Sequence, residues 1–384
     1  MQQQFTAIII GSGFGGQAAA VNLRRIGIDD FLILERREWM GGTWSQNSYP
    51  GAAVDVQSPL YSLSFEPYPW SQMFAEQDEL VEYTNHVLAK YRLREQTRLN
   101  TNVTKVQWDE ARQLWQVSVE GSADLFAKYL INASGPLSTP VIPNFKGRDT
   151  FKGHSFHTNA WDHGYQHAGK RVAIIGSGAS AAQVIPAIAP EVKQLHVFQR
   201  SAPYFLPRGD RAYRDWEKTL FRHVPGAMKL HRLWIYLSYE YRALAFTRFG
   251  SLMKVAVGVP FRRLLNRQVS DPALRARLTP DYPIGCKRIL LSSEYLATMA
   301  QPNVNLVTAG IRRVTPTGIE TDDGQHHEAD VLILGTGFAA TEFLAPLRVQ
   351  GKGGVELNQV WSQGAKAYLG VSVPGFPNFF MLYG

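Results

Sequence analysis

The chain of 384 residues contains a single cysteine, Cys286. One thiol excludes an internal disulfide, a CxxC redox pair and a thiolate cage for a metal, and it suits a reducing, cytoplasmic setting. The N-terminal stretch MQQQFTAIII has no basic segment ahead of its apolar run, so no signal peptide is expected. Long apolar runs are also lacking. The most apolar later segment, LWIYLSYEYRALAFTRFG from Leu233, is interrupted by Glu240, Arg242 and Arg248. It reads as amphipathic helices covering a pocket or core, with a peripheral membrane contact as the alternative, and not as a membrane span. The formal charge is +8. Its cations are dispersed and form no stripe, so no nucleic acid is expected, and an anionic dinucleotide is the simpler partner.

What is present is a large apolar fraction, 45%, in a chain long enough for two or three domains. FTAIII ends in GSGFGG and continues as QAAAVNLRRIG with helical periodicity, which gives G-x-G-x-x-G at Gly11, Gly13 and Gly16. The next apolar run, DFLILE, puts Glu35 at its end, 24 residues after Gly11. A strand, tight turn and helix N-terminus suit a pyrophosphate, and a carboxylate at that distance suits ribose hydroxyls. The pattern recurs at RVAIIGSGASAAQVIPAIA, with Gly176, Gly178, Ser180 and Ala181 in the turn. Its following strand, QLHVFQR, ends in Gln199 and Arg200 with no acid. A carboxylate there would repel a ribose 2′-phosphate, whereas an arginine receives one with a forked contact. The first unit therefore reads as an FAD or NAD site and the second as an NADPH site.

Each unit is followed by a hairpin-like stretch, VTKVQWDEARQLWQVSVEG and then IRRVTPTGIETDDGQHH. After each hairpin comes a strand ending in glycine, KYLINASG to Gly135 and ADVLILGTG to Gly337. This layout resembles the flavoproteins with two dinucleotide-binding domains, with the flavin in the first unit. The expected fold is α/β: two Rossmann-like domains of the three-layer type, for FAD and NADPH, with a helical insertion. The expected division assigns 1–140 and 331–384 to the FAD domain, 141–210 and 285–330 to the NADPH domain, and 211–284 to the insertion.

Between the units lies FKGHSFHTNAWDH, which reads locally as a polar, turn-prone connector. Phe151, Gly153, His157, Trp161 and Asp162 fit F-x-G-x-x-x-H-x-x-x-W-[PD], and GGTWSQNSYPGAAVD, from Gly41 to Asp55, fits a second and longer signature. With DYPIGCKR, VFQR and GTGF, these segments make the whole chain resemble the type I Baeyer–Villiger monooxygenases of the class B flavoproteins. His154 and His157 also stand three apart, but no third ligand is placed near them and no metal site is expected.

The resemblance implies that NADPH reduces FAD and that O2 adds to the flavin as a C4a-peroxide, which inserts one oxygen atom beside a ketone carbonyl. It makes Arg288 the active-site cation and Asp55 the carboxylate that pairs with it. It also assigns Gly42, Thr43, Trp44 and Asp55 to cofactor binding and sets Lys287 beside Arg200 at the 2′-phosphate. Phe151, Gly153, His157, Trp161 and Asp162 become a hinge joining flavin and nicotinamide domains. Tyr49, Pro50 and Gly51 become a shaped turn, Cys286 a small neighbour in the site wall, and the insertion the wall of an apolar substrate pocket. Ser48 and Gln46 depart from the family, which often has arginine and tryptophan there. Relatives are also expected to continue past Gly384. Two other readings keep both nucleotide turns: a flavin N- or S-monooxygenase, against which the Trp161–Asp162 ending and the long signature argue, and an FAD- and NADPH-binding protein that acts only as an NADPH oxidase.

Overall fold

The computed structural model describes residues 3–247, 252–340, 344 and 346–382. Arg248, one of the charges that interrupt the segment from Leu233, lies outside the described residues. The chain forms two compact units, 1–46 with 80–140 and 338–384, and 47–79 with 141–337.

The first unit is built on an eight-stranded sheet. Its first strand, Gln3–Ile10, lies between Phe31–Leu34 and Leu125–Asn132, parallel to both, with Ile10 in register with Leu34 and Asn132. Ile8 and Ile9 are fully buried, as expected of a strand covered on both faces. The stretch expected as a hairpin is one, with Val103–Asp109 antiparallel to Leu114–Val119.

The second unit repeats this plan in a five-stranded parallel sheet. Arg171–Ile175 lies between Gln194–Phe198 and Val331–Leu334, with Ile175 in register with Phe198 and Leu334. In both units the chain therefore leaves the central strand with neighbours on either side of the glycine turn. Such a switch point opens a crevice at the carboxyl ends of the strands. The second hairpin also forms, from Ile311–Thr315 and Gly318–Thr321.

Three expectations need correction. Val331–Leu334 belongs to the second sheet, not to the first unit, because its backbone pairs with Arg171–Ile175 and His154–His157. Residues 47–79 also pack with the second unit. The Gln183 side chain donates to the Ala53 carbonyl at 2.8 Å, and the Tyr49 hydroxyl donates to the Gln183 side-chain oxygen at 3.0 Å. Finally, the stretch read as a turn-prone connector lies in the second unit, in agreement with its place in 141–210, but it is partly regular, since His154–His157 form an edge strand of that sheet. Residues 211–284 are mainly helical, including Asp215–His223, Ala227–Thr247, Val259–Gln268 and Pro272–Arg277. Among the described residues no helix is long and apolar enough to cross a membrane.

Candidate functional site

Three glycines of the first turn have three different reasons to be glycine. Gly11 has φ +101°, and a β-carbon on it would lie 2.5 Å from the Ala133 carbonyl oxygen. On Gly16 a β-carbon would meet the Gly11 oxygen at 2.0 Å, so the helix Phe14–Arg25 can press against the strand only without a side chain there. Gly13 is different: its nearest neighbour would be the Gly42 α-carbon at 3.5 Å, an ordinary contact. It is also the N-cap of that helix and supplies no side-chain acceptor to the first-turn amides. An uncapped helix N-terminus beside an open face can receive an anion.

The carboxylate that follows is tied to this turn. Glu35 is 7% exposed, and its Oε2 accepts from the Ser12 amide at 3.0 Å and the Ser12 hydroxyl at 2.6 Å. Ser12 Oγ in turn accepts from the Gly41 amide at 3.3 Å. Gly42, at φ +65°, comes so close to Gly13 that a β-carbon would stand 2.7 Å from the Gly13 α-carbon. Thr43 and Trp44 open the short helix Thr43–Gln46 directly afterwards. Thus Gly11, Gly13, Gly16, Glu35, Gly42, Thr43 and Trp44 all stand in the first unit. The reading of the residues missed Ser12; its place between two glycines at a strand end was the available signal.

The second turn has the same build. Gly176 has φ +121°, and its β-carbon would lie 2.2 Å from the Gly335 oxygen. Gly335 corresponds to Ala133, each being the first residue after the flanking strand. Ala181, fully buried, takes the place of the third glycine. Gly178 caps the helix Ala179–Ile188 without a side-chain bond, and nothing lies within 4 Å of where its β-carbon would be. Ser180 follows in the first turn of that helix, beside the Tyr49 hydroxyl. Burial pushes the Tyr49 hydroxyl pKa above its ordinary value, which keeps it a neutral donor.

At the end of the strand Gln194–Phe198 no acid appears. Gln199 is buried and its side chain donates to the Arg277 carbonyl at 3.1 Å, while Arg200 is exposed. Lys287 donates from Nζ to the hydroxyl of Ser201 at 2.6 Å and stands 4.5 Å from the Tyr282 ring centroid. Two cations, 87 positions apart in the chain, therefore share one strand end. Ser201, which fixes the lysine there, was not singled out in the sequence.

Asp55 does not stay with Gly42–Trp44. It lies in the second unit, where Gln183 holds the segment that carries it against the second glycine-turn helix. Gly51, with φ +79° and the Gln183 carbonyl 2.7 Å from its potential β-carbon, makes this approach and turn possible. Asp55 Oδ2 meets Arg288 Nη2 at 2.5 Å, with the arginine side chain 66% exposed and the aspartate 30%. Cys286 is exposed.

Just before the edge strand, Gly153 is needed because the Asp330 oxygen lies 2.4 Å from its potential β-carbon. Phe151 packs partly buried against a core containing Val314 and Leu332. His157 is 4% exposed, and its Nδ1 accepts from the Asn159 amide at 3.0 Å. Burial lowers its pKa, so the ring is held neutral. Trp161 is buried in the core of this unit with its ring edge-on to Phe156 at 5.0 Å. Asp162 faces His154 at 2.8 Å and accepts from the Gly164 amide at 2.9 Å.

Two glycine turns of one build, each an uncapped helix N-terminus at the end of a central strand paired in parallel on both sides, define a protein with two dinucleotide sites. A family model for pyridine nucleotide-disulphide oxidoreductases matches residues 8–214. A Baeyer-Villiger monooxygenase of Pseudomonas aeruginosa is 45% identical over 377 residues, which is 98% of this chain and 71% of that protein. One of Streptomyces coelicolor is 44% identical, over 98% of this chain and 72% of its own length. The closed crystal structure of cyclohexanone monooxygenase matches with a TM-score of 0.88 and 31% identity, covering 100% of this chain and 80% of that one. Oxidized steroid monooxygenase bound to NADP matches at 0.87 and 34%, over 99% of this chain and 80% of its own. The chain belongs to the Baeyer–Villiger monooxygenase family.

Proposed function

We propose that Arg288, aimed by Asp55, carries the oxygen-transfer step of this enzyme. The chain is a flavin-dependent monooxygenase that uses FAD and NADPH. Solved structures of cyclohexanone monooxygenase hold cyclohexanone and ε-caprolactone, and the substrate here is a ketone. The reaction consumes ketone, O2, NADPH and a proton and yields an ester or lactone, NADP+ and water. One oxygen atom enters between the carbonyl carbon and its migrating neighbour. FAD, when bound, supplies the passage of electrons from the nicotinamide and the activation of O2.

The chain's own residues do the rest. The amides behind Gly13 and Gly178 receive the pyrophosphates of FAD and NADPH, and Glu35 accepts from the ribose hydroxyls of the first. Both cradles fit, since the middle glycine of each turn is the one whose β-carbon position is free of close protein contact. Arg200 and Lys287 hold the 2′-phosphate, with Ser201 fixing the lysine. Arg288 presents its fork of N–H donors to the negative charge that develops on the carbonyl oxygen. Its contact with Asp55 carries this reading, because it fixes one edge of the guanidinium fork while no second carboxylate among the described ion pairs takes up its other donors. His157, which ends the edge strand, and Trp161 and Asp162, which follow it, take no part in the chemistry and serve as the hinge the family resemblance implies. The ketone is small and apolar, and a cytoplasmic location suits NADPH and an exposed free thiol.

The test uses FAD-loaded protein, NADPH, a panel of apolar ketones and 18O2. Esters carrying one 18O, formed in step with NADPH oxidation, are expected. Products confined to sulfoxides or N-oxides, or NADPH turned entirely into H2O2, would overturn the ketone reading.

A further inference from the structure

The helix Ala227–Thr247 is amphipathic in the direction opposite to most surface helices. Its buried side carries Ile235, fully buried, and Met228. Its outward side carries Leu230, Leu233, Trp234 and Leu237, spaced i, i+3, i+4 and i+7, with Leu230 70% and Trp234 62% exposed. A surface helix normally turns such a stripe toward the core. The preceding helix, Asp215–His223, repeats the oddity with Trp216 and Leu220 exposed. Isolated exposed leucines mean little, whereas two helices with outward apolar stripes mark an interaction surface.

The hairpin is held firmly enough to present that surface. Phe221, His231 and Trp234 stack in sequence, at 5.1 Å and 6.2 Å between ring centroids, and the Tyr213 hydroxyl meets His231 Nε2 at 3.0 Å. Glu217 accepts a forked pair of bonds from Arg211, both at 2.7 Å, and one from the Arg214 amide at 2.8 Å. Arg232 Nη1 donates to the Ser62 carbonyl at 2.8 Å from the buried side of the second helix.

The charges around the stripes decide what fits them. Exposed cations Arg214, Arg222 and Lys229 border the apolar residues in the two helices, against exposed Asp215 and Glu240. Pairing this face with its own copy would set these cations against one another. We propose that the outward face of the 215–240 hairpin docks on an anionic lipid surface. Trp216 and Trp234 enter the headgroup boundary with the leucines, and the long cationic side chains reach the lipid phosphates. This is contact in the plane of the membrane, and it places the enzyme where apolar ketones concentrate.

The experiment is co-sedimentation of FAD-loaded protein with vesicles of phosphatidylcholine alone or with one-third phosphatidylglycerol, at low and high salt. Binding to the anionic vesicles, weakened by salt, is expected. Arg222→Gln with Lys229→Gln should weaken partitioning roughly 30-fold, and Leu230→Gln with Leu237→Gln should abolish it, both with parental melting temperatures. Brominated lipid should quench parental fluorescence more than that of Trp234→Phe. Equal binding to both vesicle types, parental binding by both variants, or no sedimentation at all would overturn the proposal. So would a vesicle-free dimer that the leucine variant dissolves, since the face would then be covered by a second copy.

Discussion

Replacing Asp55 by alanine separates a positioning carboxylate from a surface ion pair. The contact with Arg288 is short, 2.5 Å, but the arginine side chain is 66% exposed. A pair so exposed is worth about 0 to 1 kcal/mol of stability. For domains of this size that corresponds to a fall in melting temperature of about 4 °C or less. If Asp55 only decorated the surface, activity would change as little. If it aims the guanidinium, losing it frees the fork to swing. A displacement of about 1 Å at a reacting centre costs on the order of 10²-fold in rate. The assay follows ester formation, NADPH consumption and melting for the parent, Asp55→Ala and Asp55→Glu. The expected result is a kcat for ester reduced roughly 10²-fold in the alanine variant, with KM for the ketone changed far less and a near-parental melting temperature. Partial rescue by glutamate is expected, because it restores a carboxylate within reach. An alanine variant whose ester-forming kcat stays within about threefold of the parent would refute the positioning argument, since that is well under the effect such a displacement produces.

Three other outcomes follow from the geometry. Gly176→Ala should lower stability by about 1 to 3 kcal/mol, because its β-carbon would meet the Gly335 oxygen at 2.2 Å in a left-handed conformation, whereas Gly178→Ala, with open space around it, should melt like the parent yet bind NADPH more weakly; calorimetry and nucleotide titration check the pair. Arg200→Ala should narrow the preference for NADPH over NADH by roughly 5- to 150-fold in flavin reduction, and equal use of both nucleotides by the parent would contradict it. Burial and the neighbouring His327 push the pKa of His196 down to about 4, so folding favours its neutral form. Stability from this group is then complete above the ordinary histidine value of 6.5 and is lost as pH falls from there toward 4, and His196→Gln should flatten a melting series across that window.

Much of this was legible because it is local. A glycine turn, its strand and its helix lie within about 25 residues, and the reasons for Gly11 and Gly176 are contacts made by the turn with the adjacent strand. The Asp55–Arg288 contact joins residues 233 positions apart. No periodicity reveals such a pair, and it entered only through resemblance. What sequence reading misplaced depends on partners it could not see. Residues 47–79 go to the second unit because of Gln183, an ordinary polar residue on a helix. HSFH looks like a connector because it has no β-branched residue and no alternation. It becomes a strand through pairing with Val331–Leu334, whose apolar run lies far down the chain. For the segment from Leu233 the sequence leaves both alternatives standing, a cover for a pocket or core and a peripheral membrane contact, because composition does not tell a helix which side faces out.

The central claim is that Arg288 serves oxygen transfer and not the delivery of electrons. The most direct measurement compares the parent with Arg288→Ala and Arg288→Lys, each loaded with FAD, recording anaerobic flavin reduction by NADPH, H2O2 release and ester formation from one accepted ketone. Losing a preorganised cation at a developing oxyanion costs on the order of 3 kcal/mol, at least about 10²-fold in rate. The alanine variant should therefore be reduced at a rate close to the parent's while its NADPH goes almost wholly to H2O2. Lysine, a point charge without the fork that Asp55 grips, should recover only part of the ester yield. Ester formation at a near-parental rate in Arg288→Ala would contradict the assignment.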